Sequence, residues 1–169
     1  MLKYTDIAVT FREVPNEISL CINISGCPIH CPDCHSKELW DDMGKELTTE
    51  VLMDMIERNR GITCVCFMGG DAHPEEVNEL AKFIKQNIDT KLLTCWYSGE
   101  ETLTELTDLE YWDFIKLGPY IKEKGGLDNS NTNQKFYEVR MTRQVDNHFN
   151  PIYALEDITN LFQRNVSNI

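Results

Sequence analysis

The sequence has no apolar run approaching the eighteen or so residues that a membrane-spanning helix needs. Its opening stretch, MLKYTDIAVTFREVPNE, is broken by charges and lacks the apolar centre of a secretory signal, so a cytoplasmic location is the expectation. Positive charge is scarce as well: 16 Lys and Arg stand against 28 Asp and Glu, a formal net charge of −12. The basic residues are scattered singly, so no patch exists to neutralise a phosphate backbone, and nucleic acid is excluded as an expected partner. Low-complexity tracts and a linker that would split the chain are missing too. With 169 residues, the expectation is one domain, 1–169, long enough to bury a sizeable core.

Cysteine is what the chain has in quantity. Seven is a high count for a cytosolic protein of this length, and an odd number without a secretory context argues against a disulfide scaffold. Cys21, Cys64, Cys66 and Cys95 sit in apolar, β-branched surroundings (SLCINI, ITCVCFM, LLTCWY) and read as core thiols that pack as small hydrophobes. Cys64 and Cys66 share a strand face, but nothing else supports a second metal site there. The other three, Cys27, Cys31 and Cys34, fall within eight residues of the proline-rich stretch SGCPIHCPDCH.

Around that stretch the chain alternates between strands and helices. Tyr4 to Glu13 and Ile18 to Ile24 are extended runs separated by the turn-like Pro15-Asn16. Thr48 or Thr49 caps a helix from Glu50 with Val51, Leu52, Met55 and Ile56 on one face. Ile62 to Met68 reads as a buried strand ending at Gly69-Gly70-Asp71, and Pro74 opens a helix carrying Val77, Leu80, Ala81 and Ile84. Leu92 to Tyr97 is a further strand ending at Ser98-Gly99, followed by a short helix with Leu103 and Leu106 and a strand over Phe114 to Leu117. Lys122 to Gln134 is a polar loop, Phe136 to Met141 a late strand, and Leu155 to Arg164 a closing helix that buries Ile158, Leu161 and Phe162. This alternation implies an α/β fold with a parallel sheet, and ligands in such sheets bind beyond the carboxyl ends of the strands, here the Gly69, Gly99 and Gly118 loops. The chain is too short for eight strand–helix units, so a partial, open TIM-like barrel of about five or six is the expected architecture.

Three thiols in one short loop admit two readings. Zinc would take Cys27, Cys31 and Cys34 with His30 or His35 as the fourth ligand, although all candidates crowd one loop without the usual distant second pair. A cubane 4Fe–4S cluster is the other reading. Proteins that only pass electrons cap its four irons with four cysteines, whereas three leave one iron open to an exogenous ligand. Cys-x3-Cys-x2-Cys lets one loop wrap three corners, and Pro28 and Pro32, each directly after a ligand, reduce the entropy lost on ordering it.

The stretches ISGCPIHCPDCHSKELW, CFMGGDAHP, WYSGE, FIKLGPY and TNQKFYEV, in this order over most of the chain, resemble the radical S-adenosylmethionine superfamily. Within it they are most similar to the activating proteins of anaerobic ribonucleoside-triphosphate reductase. The resemblance implies a 4Fe–4S cluster on Cys27, Cys31 and Cys34, with S-adenosylmethionine on the open iron. Reductive cleavage to a 5′-deoxyadenosyl radical would then generate a glycyl radical on the reductase, with a flavodoxin-like protein supplying electrons. It further implies that Gly69 and Gly70 let the backbone approach the methionine moiety, that Asp71 bonds its ammonium group, and that Asp33 and His35, flanking Cys34, lie against the adenosine. Ser98 would bond the cofactor's carboxylate or ribose, or serve as a turn hydroxyl. Asp33 departs from the aromatic of many superfamily members and the frequent glycine of the reductase activators, and Ser36 replaces their common asparagine.

Other residues read more plainly. Lys116 is expected to be a solvated lysine at the sheet edge, ahead of the alternative that it meets a carboxylate there, His73 part of a helix start, and His148 a surface residue. Thr132-Asn133-Gln134 is either a partner-docking element or a disordered surface loop. Two rivals to the activating function stand beside it. One is an oxidoreductase of the same radical chemistry acting on a small molecule, as short deazaguanine-forming enzymes do, or on another glycyl-radical enzyme such as formate C-acetyltransferase. The other is a zinc-stabilised binding module without catalysis.

Overall fold

The computed structural model describes residues 1–88 and 91–163. Strands β1 (Lys3–Thr10) and β2 (Ser19–Ile24) form an antiparallel hairpin. Asn16, at φ +67°, turns the chain between them, a left-handed conformation that asparagine tolerates better than most residues. The cysteine loop follows without regular structure and ends in a single 3-10 turn, Lys37–Trp40. A two-residue strand, β3 (Lys45–Glu46), pairs with β1 and leads into helix α1 (Thr49–Arg58), whose first turn is capped by Thr48 Oγ1 accepting from Val51 N. Leu52 and Met55 are buried on its inner face with Val51 and Ile56 packed alongside, as the apolar spacing requires.

Four parallel strands build the centre. β4 (Cys64–Met68) leads to α2 (Pro74–Asn87), and β5 (Leu93–Tyr97) leads to β6 (Phe114–Leu117). β2, β4, β5 and β6 are mutually parallel, with Cys21, Cys66 and Cys95 side by side in register. β7 (Lys135–Val145) and β8 (Pro151–Asp157) extend the sheet antiparallel. The complete order is β3-β1-β2-β4-β5-β6-β7-β8, an open sheet of eight strands.

Strand alternation divides the core in two. Leu20, Ile22, Ile24, Val65, Phe67, Trp96 and Ile115 point towards α1 and α2. Cys21, Cys64, Cys66, Cys95 and Phe136 point to the other face and are at most 5% exposed, so the four strand cysteines are core residues. Their thiols are held neutral. Burial raises Cys64, Cys66 and Cys95, and Cys21 is raised first by its hydrogen bond with Cys66 and then by burial.

Two expected helices are not as the sequence suggests. No helix contains Leu103 and Leu106; Leu106 is exposed, and the crossover instead carries a 3-10 turn at Leu109–Tyr111. Polar contacts fix this segment where an apolar stripe would otherwise have to: the buried Asn78 Oδ1 on α2 accepts from both Asp108 N and Trp112 Nε1. At the C-terminal end, Leu155 lies in β8, and helix α3 covers Asn160–Gln163 only. Arg164 lies outside the described residues. Ile158 and Phe162 pack on the cysteine-bearing face, half-buried rather than buried. Pairing with β7 overrides helical spacing here, because Leu155 reaches the core through strand alternation.

Among the described residues no helix is long and apolar enough to cross a membrane.

Candidate iron–sulfur site

The carboxyl ends of β2, β4, β5 and β6 open into one pocket. Cys27, Cys31 and Cys34 line it together with Gly69, Asp71, Ser98 and Gly99. Residues far apart in sequence thus meet there because parallel strands deliver all their C-terminal loops to one edge of the sheet. A larger cavity, about 310 Å³, lies at the opposite ends of β4 and β5, bordered by Asn59, Arg60, Thr63 and Leu92, and has no thiol, imidazole or carboxylate in its lining.

The cysteine loop is closed on itself by backbone hydrogen bonds. Gly26 N donates to Asp41 O at 3.2 Å, Cys27 N to Leu39 O at 2.9 Å, and Cys34 N to Cys31 O at 3.0 Å. His30, at φ +49°, stacks on Trp40 with ring centroids 4.8 Å apart. Amides point at two of the sulfurs. Ser36 N donates to Cys34 Sγ, and the N–H groups of Ile29 and His30 favour the Cys27 thiolate, although burial outweighs them and leaves that thiol raised.

This donor arrangement suits a cluster. One zinc ion needs its sulfur donors about 2.3 Å from a single point. A cube asks instead for sulfurs spread over its corners, with N–H groups to bond its acceptors. The pocket offers three half-buried thiols, the amide on Cys34, and Trp40 Nε1, a buried indole N–H that lacks a protein partner.

On the facing wall, Asp71 is held in place. Its Oδ1 accepts from Ser98 Oγ at 2.5 Å and its Oδ2 from Gly99 N at 3.1 Å. Ser98 Oγ in turn accepts from Glu100 N. Ser98, 2% exposed, therefore acts through its hydroxyl chiefly as a positioning group for Asp71. Gly69 has φ +99°, and a Cβ there would stand 3.2 Å from Ile24 O; its carbonyl accepts from Trp96 Nε1 at 2.8 Å. These constraints demand glycine and bring bare backbone to the pocket wall.

Three of the residues expected at the site stand outside the lining. A Cβ on Gly70 would fall 2.4 Å from Val77 Cγ2, so Gly70 serves close packing on α2. Asp33 is exposed and faces Lys122 Nζ at 3.6 Å. His35 meets the pocket-lining Tyr120 edge-on at 4.8 Å between centroids. His73 precedes α2, and His148 is exposed, as expected.

Lys116 overturns its expectation as a solvated lysine. It is 7% exposed and lines the pocket, and its Nζ donates to the carbonyls of Ser98, at 3.2 Å, and Gly118. Burial pulls its pKa down to about 8, against the opposing pull of Asp71 and the Cys31 and Cys27 thiols. Gln134 was hidden in the same way, 7% exposed at the end of a polar loop. Strand alternation held the signal for both, since Lys116 and Phe136 are register partners on one face and Gln134 is two residues before Phe136.

Gly99 fixes the cysteine loop against β5. A Cβ at Gly99 would meet Ile29 Cγ1 at 2.7 Å, inside contact distance, and Ile29 lies between Cys27 and Cys31. Gly99→Ala is expected to lower iron retained after anaerobic reconstitution at least about threefold while shifting the thermal midpoint by only a few degrees. Iron assays on the purified variant check this.

No curated protein and no solved structure matches the chain. Residues 18–137 match the 4Fe-4S single cluster domain, a span that runs from the start of β2 into β7 and takes in the cysteine loop, Asp71, Ser98, Lys116 and Gln134. By that match, over well more than half of its length, the chain belongs to the 4Fe-4S single cluster domain family.

Proposed function

We propose that this iron–sulfur protein is a radical S-adenosylmethionine enzyme that generates a glycyl radical on anaerobic ribonucleoside-triphosphate reductase. The observation that carries the reading is a set of three cluster thiols and no fourth, sharing a pocket with Asp71 and the backbone of Gly69. A 4Fe–4S cluster on Cys27, Cys31 and Cys34 would supply one electron to the sulfonium of S-adenosylmethionine at its open iron, and the resulting 5′-deoxyadenosyl radical would take a hydrogen atom from a backbone glycine of the reductase.

The chain's own part is to bind, orient and shield. Asp71, aligned by Ser98 and Gly99, accepts from the ammonium of the methionine moiety, and Gly69 lets that moiety approach the sheet edge. Lys116 ties the ends of β5 and β6 together through two carbonyls and contributes a positive charge beside the thiolates. On this reading the open eight-stranded sheet would stand for the incomplete barrel of this enzyme type. The partners of this reading are the reductase and a flavodoxin-like electron donor, all in the cytoplasm.

Anaerobic purification followed by reduction, addition of S-adenosylmethionine and of anaerobic reductase tests it. The expected results are a brown, oxygen-sensitive protein with about four irons, release of 5′-deoxyadenosine and methionine, and a glycyl doublet in the electron paramagnetic resonance spectrum. A colourless protein carrying one zinc refutes it, and cleavage without a doublet on any reductase redirects the reading to a small-molecule substrate.

A further inference from the structure

Gln134 lines the pocket with a side-chain amide that, among the described residues, no protein group bonds. It is 7% exposed and borders the pocket. The hydrogen bond at this residue is made by its backbone N, which donates to Thr132 Oγ1 at 3.1 Å, and among the described residues nothing bonds its side chain. Its amide nitrogen and oxygen are not sealed off from the pocket, so both stay available to a ligand that enters it.

Its surroundings hold it rigidly. Asn133 Nδ2 donates to Pro119 O at 2.9 Å, fastening the end of the polar loop to the segment after β6. Gly118 packs so closely that a Cβ there would stand 3.2 Å from both Asn133 O and Gln134 Cα. Lys116 does not engage the amide, since its ammonium is bonded to Ser98 O and Gly118 O. The backbone that carries the side chain is therefore fixed, and the amide is free of protein hydrogen bonds.

Its position gives the ligand. In the run β2-β4-β5-β6-β7 the cysteine loop follows the first strand and Gln134 precedes the last, so the two stand on opposite walls of the pocket. The cluster and the methionine end of the cofactor are assigned to β2, β4 and β5. Whatever is presented to them enters against the wall beyond β6. A side-chain amide carries a donor and an acceptor in one plane, the complement of a peptide group, and makes no demand on side chains. Resting on the proposed function above, we propose that Gln134 binds a peptide group of the extended protein segment on which the site acts, and so positions its glycine.

Equilibrium binding on the cluster-loaded protein under anaerobic conditions tests this. Fluorescently labelled anaerobic reductase is titrated in the presence of S-adenosylmethionine, and S-adenosylmethionine is titrated alone. Gln134→Leu keeps the volume and removes both hydrogen bonds. It is expected to raise the Kd for the reductase about tenfold to a hundredfold, at least about tenfold more than it raises the Kd for S-adenosylmethionine. Its thermal midpoint should stay within a few degrees of that of the original protein, because no protein group loses a hydrogen bond to the side chain. Should Gln134→Leu not fold, Gln134→Glu, which removes the donor alone, is put through the same two titrations with the same expected ordering.

Equal reductase affinity in original and variant overturns the assignment while leaving the proposed function intact. A parallel rise in both Kd values also overturns it, and shows that the amide reads the nucleoside. Failure of the original protein to bind any reductase or to yield a glycyl doublet brings down the proposed function and this inference together.

Discussion

Cys31→Ala is expected to lower the iron content after anaerobic reconstitution from about four per chain to below one, and to abolish S-adenosylmethionine cleavage. The three thiols come from one loop of eight residues, and the middle one has no substitute. The remaining four cysteines are at most 5% exposed, locked into β2, β4 and β5 as neutral thiols, and cannot reach the pocket mouth without unfolding a strand. Cys64→Ala gives the contrasting result: iron is retained, and stability falls by about 1 kcal/mol as a small buried group is lost. Iron and acid-labile sulfide assays, with visible spectra, check both. Full iron loading in Cys31→Ala would remove the basis for assigning the cluster to this loop.

Asp71→Ala should weaken S-adenosylmethionine binding by about tenfold to a hundredfold, the range expected when a charged hydrogen bond in a partly buried site is lost. The carboxylate is held by Ser98 Oγ and Gly99 N, so it meets a cation in a fixed geometry without reorganising. Removing it also leaves the Ser98 hydroxyl, 2% exposed, without its acceptor. Asp71→Asn keeps an acceptor and loses the charge, and is expected to fall between the two. Calorimetric titration of the cluster-loaded variants reads the affinities, and cluster absorbance confirms that loading is unchanged. Affinity within twofold of the original in Asp71→Ala would exclude the ammonium contact.

These two residues were legible before any coordinates. Cysteines at Cys-x3-Cys-x2-Cys spacing state their chemistry locally, and Gly-Gly-Asp after a buried strand places an acid at a sheet edge whatever the rest of the chain does. The central strands were legible for a similar reason. Ile62 to Met68 is a short apolar run and Phe114 to Leu117 a short stretch of strand formers, each ending at a glycine, and they form β4 and β6 within two residues of those bounds. Helices α1 and α2 carried their caps and apolar stripes in plain view.

Elsewhere the deciding information lay between distant segments. Leu103 and Leu106 suggest a helix only until Asn78, some thirty residues earlier, takes the hydrogen bonds of Asp108 and Trp112 and holds the crossover in another shape. Leu155 joins a strand because β7 offers it a partner, and isolated spacing cannot reveal a pairing partner. Lys116 and Gln134 are the plainest instance. Sequence alone assigns Lys116 to solvent and leaves Gln134 between a docking element and a surface loop; both line the pocket because β6 pairs with β7 and brings the end of the preceding loop to the same edge.

The order of residues along the chain determined the metal-binding chemistry, the acidic surface and the central strand–helix units, all of which depend on neighbours within a few positions. Only the tertiary structure decided which polar groups are withdrawn from water. Burial is a property of strands brought side by side, and the free energy of a lysine or amide withdrawn from water depends on what the rest of the fold places around it.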